Sequence, residues 1–394
     1  MKTGGRVDSA ENSHQPRRRL KVAVLNRIFS TAGGGAERYS IALVEQLAAH
    51  HEMHVFAQEI QHAWPGVTYH PIPCWFKKPR WLNQLWYAYS TWRQTRQGFD
   101  VVHSHENTWH GDVHTMHVKT VKRSLLENRT GHRRALAWLK IGLSPRLWVY
   151  LAMERARMSP CQGRTIVAVS RSLEEELVAQ YPLAKPHLAV VTPGVAMPQQ
   201  VLTRAQARRL LNVPVEGCYV LLVANDYTRK GLPTLIEALR GMAGVQLLVA
   251  GHPGQIGYYQ SVTATLGLRD RVHFLGSQQD MAPAYFAADV LAHPTLEDSF
   301  AMAVLEAMAH GVPVVVSVGK YCGISSILAD GVDALLLRDP LDAGELQAKL
   351  QKIIENADLA KNQSLAAQTF ARQHSWRSAS LAYDAIYQKR GLRG

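Results

Sequence analysis

Short apolar runs alternate with segments of helical period along most of the chain. Leu20–Leu25 is such a run, and Gly33–Gly35 with Ala36 follows it. Ile41, Val44, Leu47 and Ala48 then repeat on one helical face, and Met53–Ala57 reads as a second strand. Strand, glycine loop, helix and strand in that order predict a parallel α/β sheet. Further strands are expected at Asp100–His103, Asp112–His117, Thr165–Val169 and Leu188–Thr192. The pattern restarts after Thr192–Gly194. Tyr219–Ala224 reads as a strand and Gly231–Met242 as a helix with Leu235, Ile236 and Leu239 on one face. Val245–Ala250, Val272–Leu275 and Val290–His293 continue the second sheet. A helix is predicted over Ala301–His310, stopped by Gly311, with Val312–Ser317 as the next strand.

Two such arrays make the fold class α/β, with two Rossmann-like domains. The spacing divides the chain into a loose basic tail (1–19), an N-terminal domain (20–195) and a C-terminal domain (196–374). A last helix, about Ser375–Arg390 within 375–394, is placed to pack back on the first domain. A chain of 394 residues agrees with two domains, being too long for one ordinary core.

Charge changes the picture more than composition does. Of the net +13, residues 1–195 carry 26 Lys/Arg against 14 Asp/Glu, and residues 196–394 carry 18 against 17. The first half therefore suits a polyanionic partner: nucleic acid, an anionic membrane or a phosphorylated glycolipid. No apolar run approaches the roughly 18 residues of a membrane span, and the polar start is unlike a secretory signal. Cys74, Cys161, Cys218 and Cys322 show no ligand or redox spacing, which points to reduced thiols and a cytoplasmic setting.

The stretch from Leu296 to Ser317 carries the most chemistry. It reads as strand end, loop, helix, glycine stop and strand, and such loops bind ligands at the carboxyl ends of parallel strands. Backbone N–H groups around Ala301–Val304 open a helix and attract a diphosphate. Asp298 and Glu306 lie eight residues apart, about two helical turns, so one can reach sugar hydroxyls and the other ribose hydroxyls. This stretch resembles glycosyltransferase family 4, retaining enzymes of the GT-B fold marked by E-x7-E followed by A-M-A-x-G-x-P-V-V. Here Asp298 stands for the first Glu, with a shorter reach, and Glu297 is its alternative.

The resemblance runs from about Lys21 to Arg390 and implies the remaining roles. Arg229 and Lys230, before Gly231, are similar to the family's phosphate-binding element; adjacent, they resemble the form in lipopolysaccharide core glucosyltransferases. Gly34 and Gly35 belong to a G-G-x-E-like loop that reaches the donor phosphates. His117 takes the place of a histidine contacting the transferred sugar. His103 and His105 lie near it, but no carboxylate spacing resembles a metal site. Leu275 and Gly276 border the nucleotide base, and Phe300, Ala301, Met302, Val304 and Leu305 complete the expected donor contacts.

The resemblance implies a nucleoside-diphosphate sugar as donor, no cofactor and no metal. Retention by front-face attack, with His117 and Asp298 orienting the donor sugar, is favoured over a covalent intermediate on Asp298. The acceptor is expected to be an anionic glycolipid, the lipopolysaccharide core first, with capsule, exopolysaccharide or phosphoinositol glycolipids as alternatives. Residues 118–164 hold 11 Lys/Arg against two acidic residues. Lys119, Lys122, Arg123, Arg129, Arg133, Arg134, Lys140 and Arg146 are expected to dock this segment on an anionic membrane. Trp138, Trp148 and Tyr150, with the short apolar run Leu147–Met153, suit the headgroup boundary. That placement puts the enzyme on the inner face of the cytoplasmic membrane. An NAD-dependent oxidoreductase would need G-x-G-x-x-G with an acid about 20 residues on, which neither array has. A nucleic-acid partner fits the charge of the first half but neither the neutral second half nor the donor motif.

Overall fold

A computed structural model describes residues 18–30, 34–126, 130–251 and 254–391, with the side chains of 133 and 137 left aside. Gly33, Arg129 and most of the basic tail lie outside the described residues. Arg18, inside them, pairs with Asp100 at 3.1 Å.

The first sheet has seven parallel strands. Their spatial order is Val67–Pro71, Glu52–Ala57, Lys21–Leu25, Val101–Ser104, Val113–Met116, Thr165–Ala168 and Leu188–Val190. The second has six, in the order Val272–Gly276, Val245–Ala250, Cys218–Val223, Val290–His293, Val314–Ser317 and Leu335–Leu337. Inner strands are covered on both faces by crossover helices, which explains their continuous apolar runs. Val220, Leu221, Leu247 and Leu248, for example, are wholly buried. Strand order reverses between Lys21–Leu25 and Val101–Ser104, and again between Cys218–Val223 and Val290–His293. At such switch points the flanking loops diverge and leave a crevice at the carboxyl ends.

The last helix, Trp376–Gly391, leaves the second domain and packs on helix Gly35–Leu47 of the first. His51 meets Asp384 at 3.1 Å, and Arg390 reaches Asp112 at 2.9 Å. The two domain crossovers run side by side, with Val195 bridged to Ser375. A Cβ on Gly194 would stand 2.2 Å from the Trp376 nitrogen, so no larger residue fits there without separating them.

Segment 118–164 forms helices Val121–Leu126, Gly131–Gly142 and Pro145–Met158. Leu147 and Met153 point inward at 5% and 4% exposure, which removes them from the expected interfacial run. Val118, Leu136, Trp138, Leu139, Leu143 and Trp148 are the segment's exposed large apolar residues instead. Among the described residues, no helix is long and apolar enough to cross a membrane.

Candidate active site

Both crevices open on one cavity of about 420 Å3 between the domains. From the first domain come Gly34, Gly35, Arg38, Tyr39, His117 and Lys119; from the second come Arg229, Lys230, Asp298, Met302 and Glu306.

The second domain builds its wall by lacing two loops together. Gly231 adopts φ 82°, and a Cβ there would lie 2.0 Å from the Pro294 carbonyl oxygen. This close approach brings Lys230 against the loop after Val290–His293. Leu296 N–H donates to the Arg229 carbonyl at 2.9 Å. The Lys230 Nζ donates to Asp298 Oδ2 at 2.5 Å, and His293 Nε2 lies 3.1 Å from the same oxygen. Asp298 Oδ1 accepts from the N–H groups of Phe300 and Ala301 at 3.3 and 2.9 Å. Burial alone raises the Asp298 carboxyl, but the His293 hydrogen bond and the Lys230 ammonium outweigh it and hold the group below its usual range. Asp298 is thus committed to shaping the loop and fixing Lys230.

Those bonds also hold Ala301 in the left-handed region, at φ 74° and ψ 69°. That conformation costs a non-glycine residue about 1–2 kcal/mol. Charge-assisted hydrogen bonds worth about 1.5–3 kcal/mol each offset it. The strain turns the chain into helix Met302–Ala309, whose first N–H groups have no intrahelical acceptor. Met302 and Ala303 line the cavity. Val304 and Leu305 do not: they are wholly buried in the core, and Val304 N–H is bonded to the Ala301 carbonyl. One turn on, Glu306 accepts a 2.6 Å hydrogen bond from the Tyr285 hydroxyl. Burial raises its carboxyl above the usual range, against the pull of Tyr285 and of the Arg38 charge.

Arg229 is half-exposed, 3.7 Å from Asp226, and its charge is open to the cavity. Leu275 and Gly276 stay behind the wall, which Ser277, Gln278 and Gly251 form at that edge. Phe300 and Ala301 line the cavity although almost fully buried.

On the first-domain side, His117 follows strand Val113–Met116. Its ring meets Tyr39 edge-on at 4.8 Å, and its Nε2 lies 3.0 Å from His105 Nδ1. Burial, reinforced by the Arg157 charge, lowers His117 to about 3, so it is uncharged at neutral pH. Among the described residues, no three His, Cys, Asp or Glu side chains form a group able to hold a metal ion. The domains also touch beside the cavity. Ser170 Oγ caps helix Arg171–Gln180 and donates across to the Ser299 carbonyl at 2.7 Å. Lys119 lies 3.8 Å from both Glu176 and Glu297. A second cavity of about 410 Å3 adjoins the first, sharing Lys119, Asp298 and Ser299 and adding Arg123 and Lys320.

Sequence reasoning missed Tyr285, His293, Tyr39 and Lys119. Tyr285 and His293 lie in other elements than the acids they contact, so no spacing announces them. Lys119 reads in the sequence as one cation of the basic segment, and only the fold brings it to the cavity.

Two family models match the chain: Glycosyltransferase Family 4 over residues 33–197 and Glycosyl transferases group 1 over residues 204–370. A D-inositol 3-phosphate glycosyltransferase of Mycolicibacterium smegmatis is 31% identical over 225 residues, covering 55% of this chain and 50% of that protein. The lipopolysaccharide glucosyltransferase WaaG of Escherichia coli is 25% identical over 227 residues, covering 55% and 60%. The matched region thus spans about half the length of these curated relatives. Among solved structures, WaaG superposes with a TM-score of 0.78 at 21% identity, covering 93% of this chain and 99% of that one. Anabaena HepE, solved in complex with UDP-glucose, gives 0.69 at 19% identity, covering 92% and 98%. Both likenesses show the two-domain GT-B fold.

Proposed function

Because the chain belongs to the glycosyltransferases that join a family 4 domain to a group 1 domain, we propose that it moves a hexose such as glucose from a nucleoside diphosphate to an anionic, membrane-associated acceptor. The observation that carries this reading is the convergence of Arg229, Lys230, the start of helix Met302–Ala309, Glu306 and His117 on one interdomain cavity. Glu306 takes the ribose hydroxyls and His117 the hexose. Arg229, Lys230 and the N–H groups of Met302 and Ala303 take the diphosphate, whose charge grows as it leaves.

The anomeric carbon–oxygen bond to the diphosphate breaks while the acceptor hydroxyl oxygen bonds the same face of that carbon. The hydroxyl proton passes to the departing phosphate oxygen, so configuration is retained. No side chain need be covalently attached: Asp298, the cavity acid that could serve as nucleophile, has its oxygens engaged by Lys230, His293 and two N–H groups. Phosphate neutralisation by protein groups predicts that transfer of radiolabelled glucose from a nucleotide donor persists in EDTA. Activity abolished by EDTA and restored by manganese or magnesium would overturn this leaving-group chemistry.

For the acceptor, the adjoining cavity is lined by Lys119, Arg123 and Lys320 and equally by Glu175, Glu176 and Asp298, with Arg123 paired to Glu176 at 3.0 Å, so it offers both donors and acceptors to sugar hydroxyls. The relative named as a lipopolysaccharide glucosyltransferase supports a lipopolysaccharide acceptor, for which the core is the first candidate. An inositol phosphate acceptor is the second reading, favoured by the 31% identity to a D-inositol 3-phosphate glycosyltransferase. Activity on one acceptor and not the other decides between them.

The surface of 118–164 supports docking on an anionic membrane, as on the inner face of the cytoplasmic membrane. Exposed Trp138, Leu139, Leu143 and Trp148 lie among the exposed cations Arg134, Lys140 and Arg146. Each such cation gains about 1 kcal/mol near an anionic surface. Changing Arg134, Lys140 and Arg146 together to glutamine is expected to weaken binding to phosphatidylglycerol vesicles at low salt about tenfold or more, with nucleotide affinity intact. Equal binding of parent and variant would remove this segment as the anchor.

A further inference from the structure

Beneath His117 lies a buried array of histidines and tyrosines whose protons can be assigned. His105 follows strand Val101–Ser104, and its Nδ1 is 3.0 Å from His117 Nε2, with the rings stacked at 17°. His103 lies against His105, ring centroids 4.3 Å apart. Its own nitrogens are both taken, Nδ1 by the Tyr387 hydroxyl at 2.6 Å and Nε2 by the Thr115 hydroxyl at 2.8 Å. Thr115 is bonded onward to Tyr383, and Tyr383 to Tyr39 at 2.9 Å. The last helix therefore locks His103 in place, and His103 limits the freedom of His105.

A 3.0 Å contact between two uncharged imidazoles needs one proton between them, leaving two arrangements. If His117 donates from Nε2, His105 carries its proton on Nε2. That atom is buried and has no hydrogen-bond partner, so an N–H would be stranded there. If His105 donates from Nδ1, its Nε2 is a bare lone pair. A buried N–H without an acceptor is rarer in proteins than an under-used acceptor. The buried Arg157 charge acts on both rings and favours lone pairs over N–H groups nearby. The second arrangement prevails.

We propose that His105 is the positioning residue that holds His117 in the tautomer protonated on Nδ1, so that His117 presents a hydrogen-bond donor to the bound hexose. Nε2 is the nitrogen His117 turns to His105, which leaves Nδ1 for the cavity. Such a donor serves a hydroxyl oxygen and remains uncharged beside Arg229 and Lys230. This assignment rests on the hexosyl-transfer reading for its consequence, though not for its existence.

The test is long-range proton–nitrogen NMR on the full chain labelled at histidine nitrogens, with the His117 signals identified by their loss in His117→Gln. The expected spectrum shows His117 protonated on Nδ1 and bare at Nε2 without any ligand. In His105→Leu the Nδ1 preference is expected to vanish and turnover to fall at least tenfold, with nucleotide affinity unchanged. In His105→Asn, whose amide N–H takes the place of Nδ1–H, tautomer and turnover recover together. His117 protonated on Nε2 in the parent would overturn the assignment, as would an unchanged tautomer in His105→Leu. If His105→Leu fails to fold, the parent and His105→Asn spectra still decide. A correct tautomer in a protein that transfers no hexose would instead count against the proposed function.

Discussion

Replacing Lys230 with alanine is expected to lower turnover about 100- to 1000-fold, the scale seen when one donor to a developing charge is removed. Two losses combine in this variant. The diphosphate loses a cation whose position is fixed by a 2.5 Å bond to Asp298. Asp298 keeps only His293 and two backbone N–H groups as partners, so the loop that sets Ala301 in its left-handed conformation loosens. Asp298→Ala is therefore expected to lower turnover nearly as much as Lys230→Ala, since it frees the same lysine. The double variant should lie close to either single one, because both remove one unit. Steady-state rates with a saturating donor check this. Additive losses would show that Asp298 acts on the sugar independently of Lys230.

Mild acid is expected to destabilise the fold through its buried histidines. His103, His105, His110, His114 and His117 are all held below the usual histidine range by burial first, then by neighbouring charge. An unfolded histidine titrates near 6.5. Between that value and the folded ones, about 3 for His103 and His117, the unfolded state binds more protons. Stability is therefore lost as pH falls through this window. At pH 5 each of these two contributes a loss of about 2 kcal/mol. Asp298 shifts the other way, its depressed carboxyl adding stability that is lost only below about pH 4. Calorimetry from pH 7.5 to 5 should show Tm falling by about 8 °C or more. A flat Tm across that range would mean that the histidines are not held neutral.

What could be read from the chain follows from where each signal is stored. Inner parallel strands such as Val245–Ala250 are buried on both faces, so their apolar runs and glycine-marked ends were legible. Val67–Pro71 and Leu335–Leu337 were missed, because edge strands are half-covered or only three residues long. The acids Asp298 and Glu306 were legible from their spacing across one continuous loop-and-helix segment, although Asp298 lies in the loop and only Glu306 in the helix. Their partners Lys230, His293 and Tyr285 come from other elements, and only the folded sheet places them there. The helix after Ala301 also shows the limit of motif reading. The motif assigns its residues to the donor as a block, yet a helix turns only part of its surface to a cavity, and Val304 and Leu305 face the core. The same geometry turns Leu147 and Met153 inward and leaves Trp148 outside.

The central claim is that the interdomain cavity is a nucleotide-sugar site with Glu306 at its ribose end. Titration calorimetry with UDP-, GDP- and ADP-glucose, on the parent and on Glu306→Ala, tests it most directly. The parent is expected to bind one of the three saturably. Glu306→Ala is expected to bind that sugar nucleotide more weakly by about 1.5–3 kcal/mol, the worth of a hydrogen bond to a charged group. No binding of any of the three to the parent, or equal affinity in Glu306→Ala, would contradict the account.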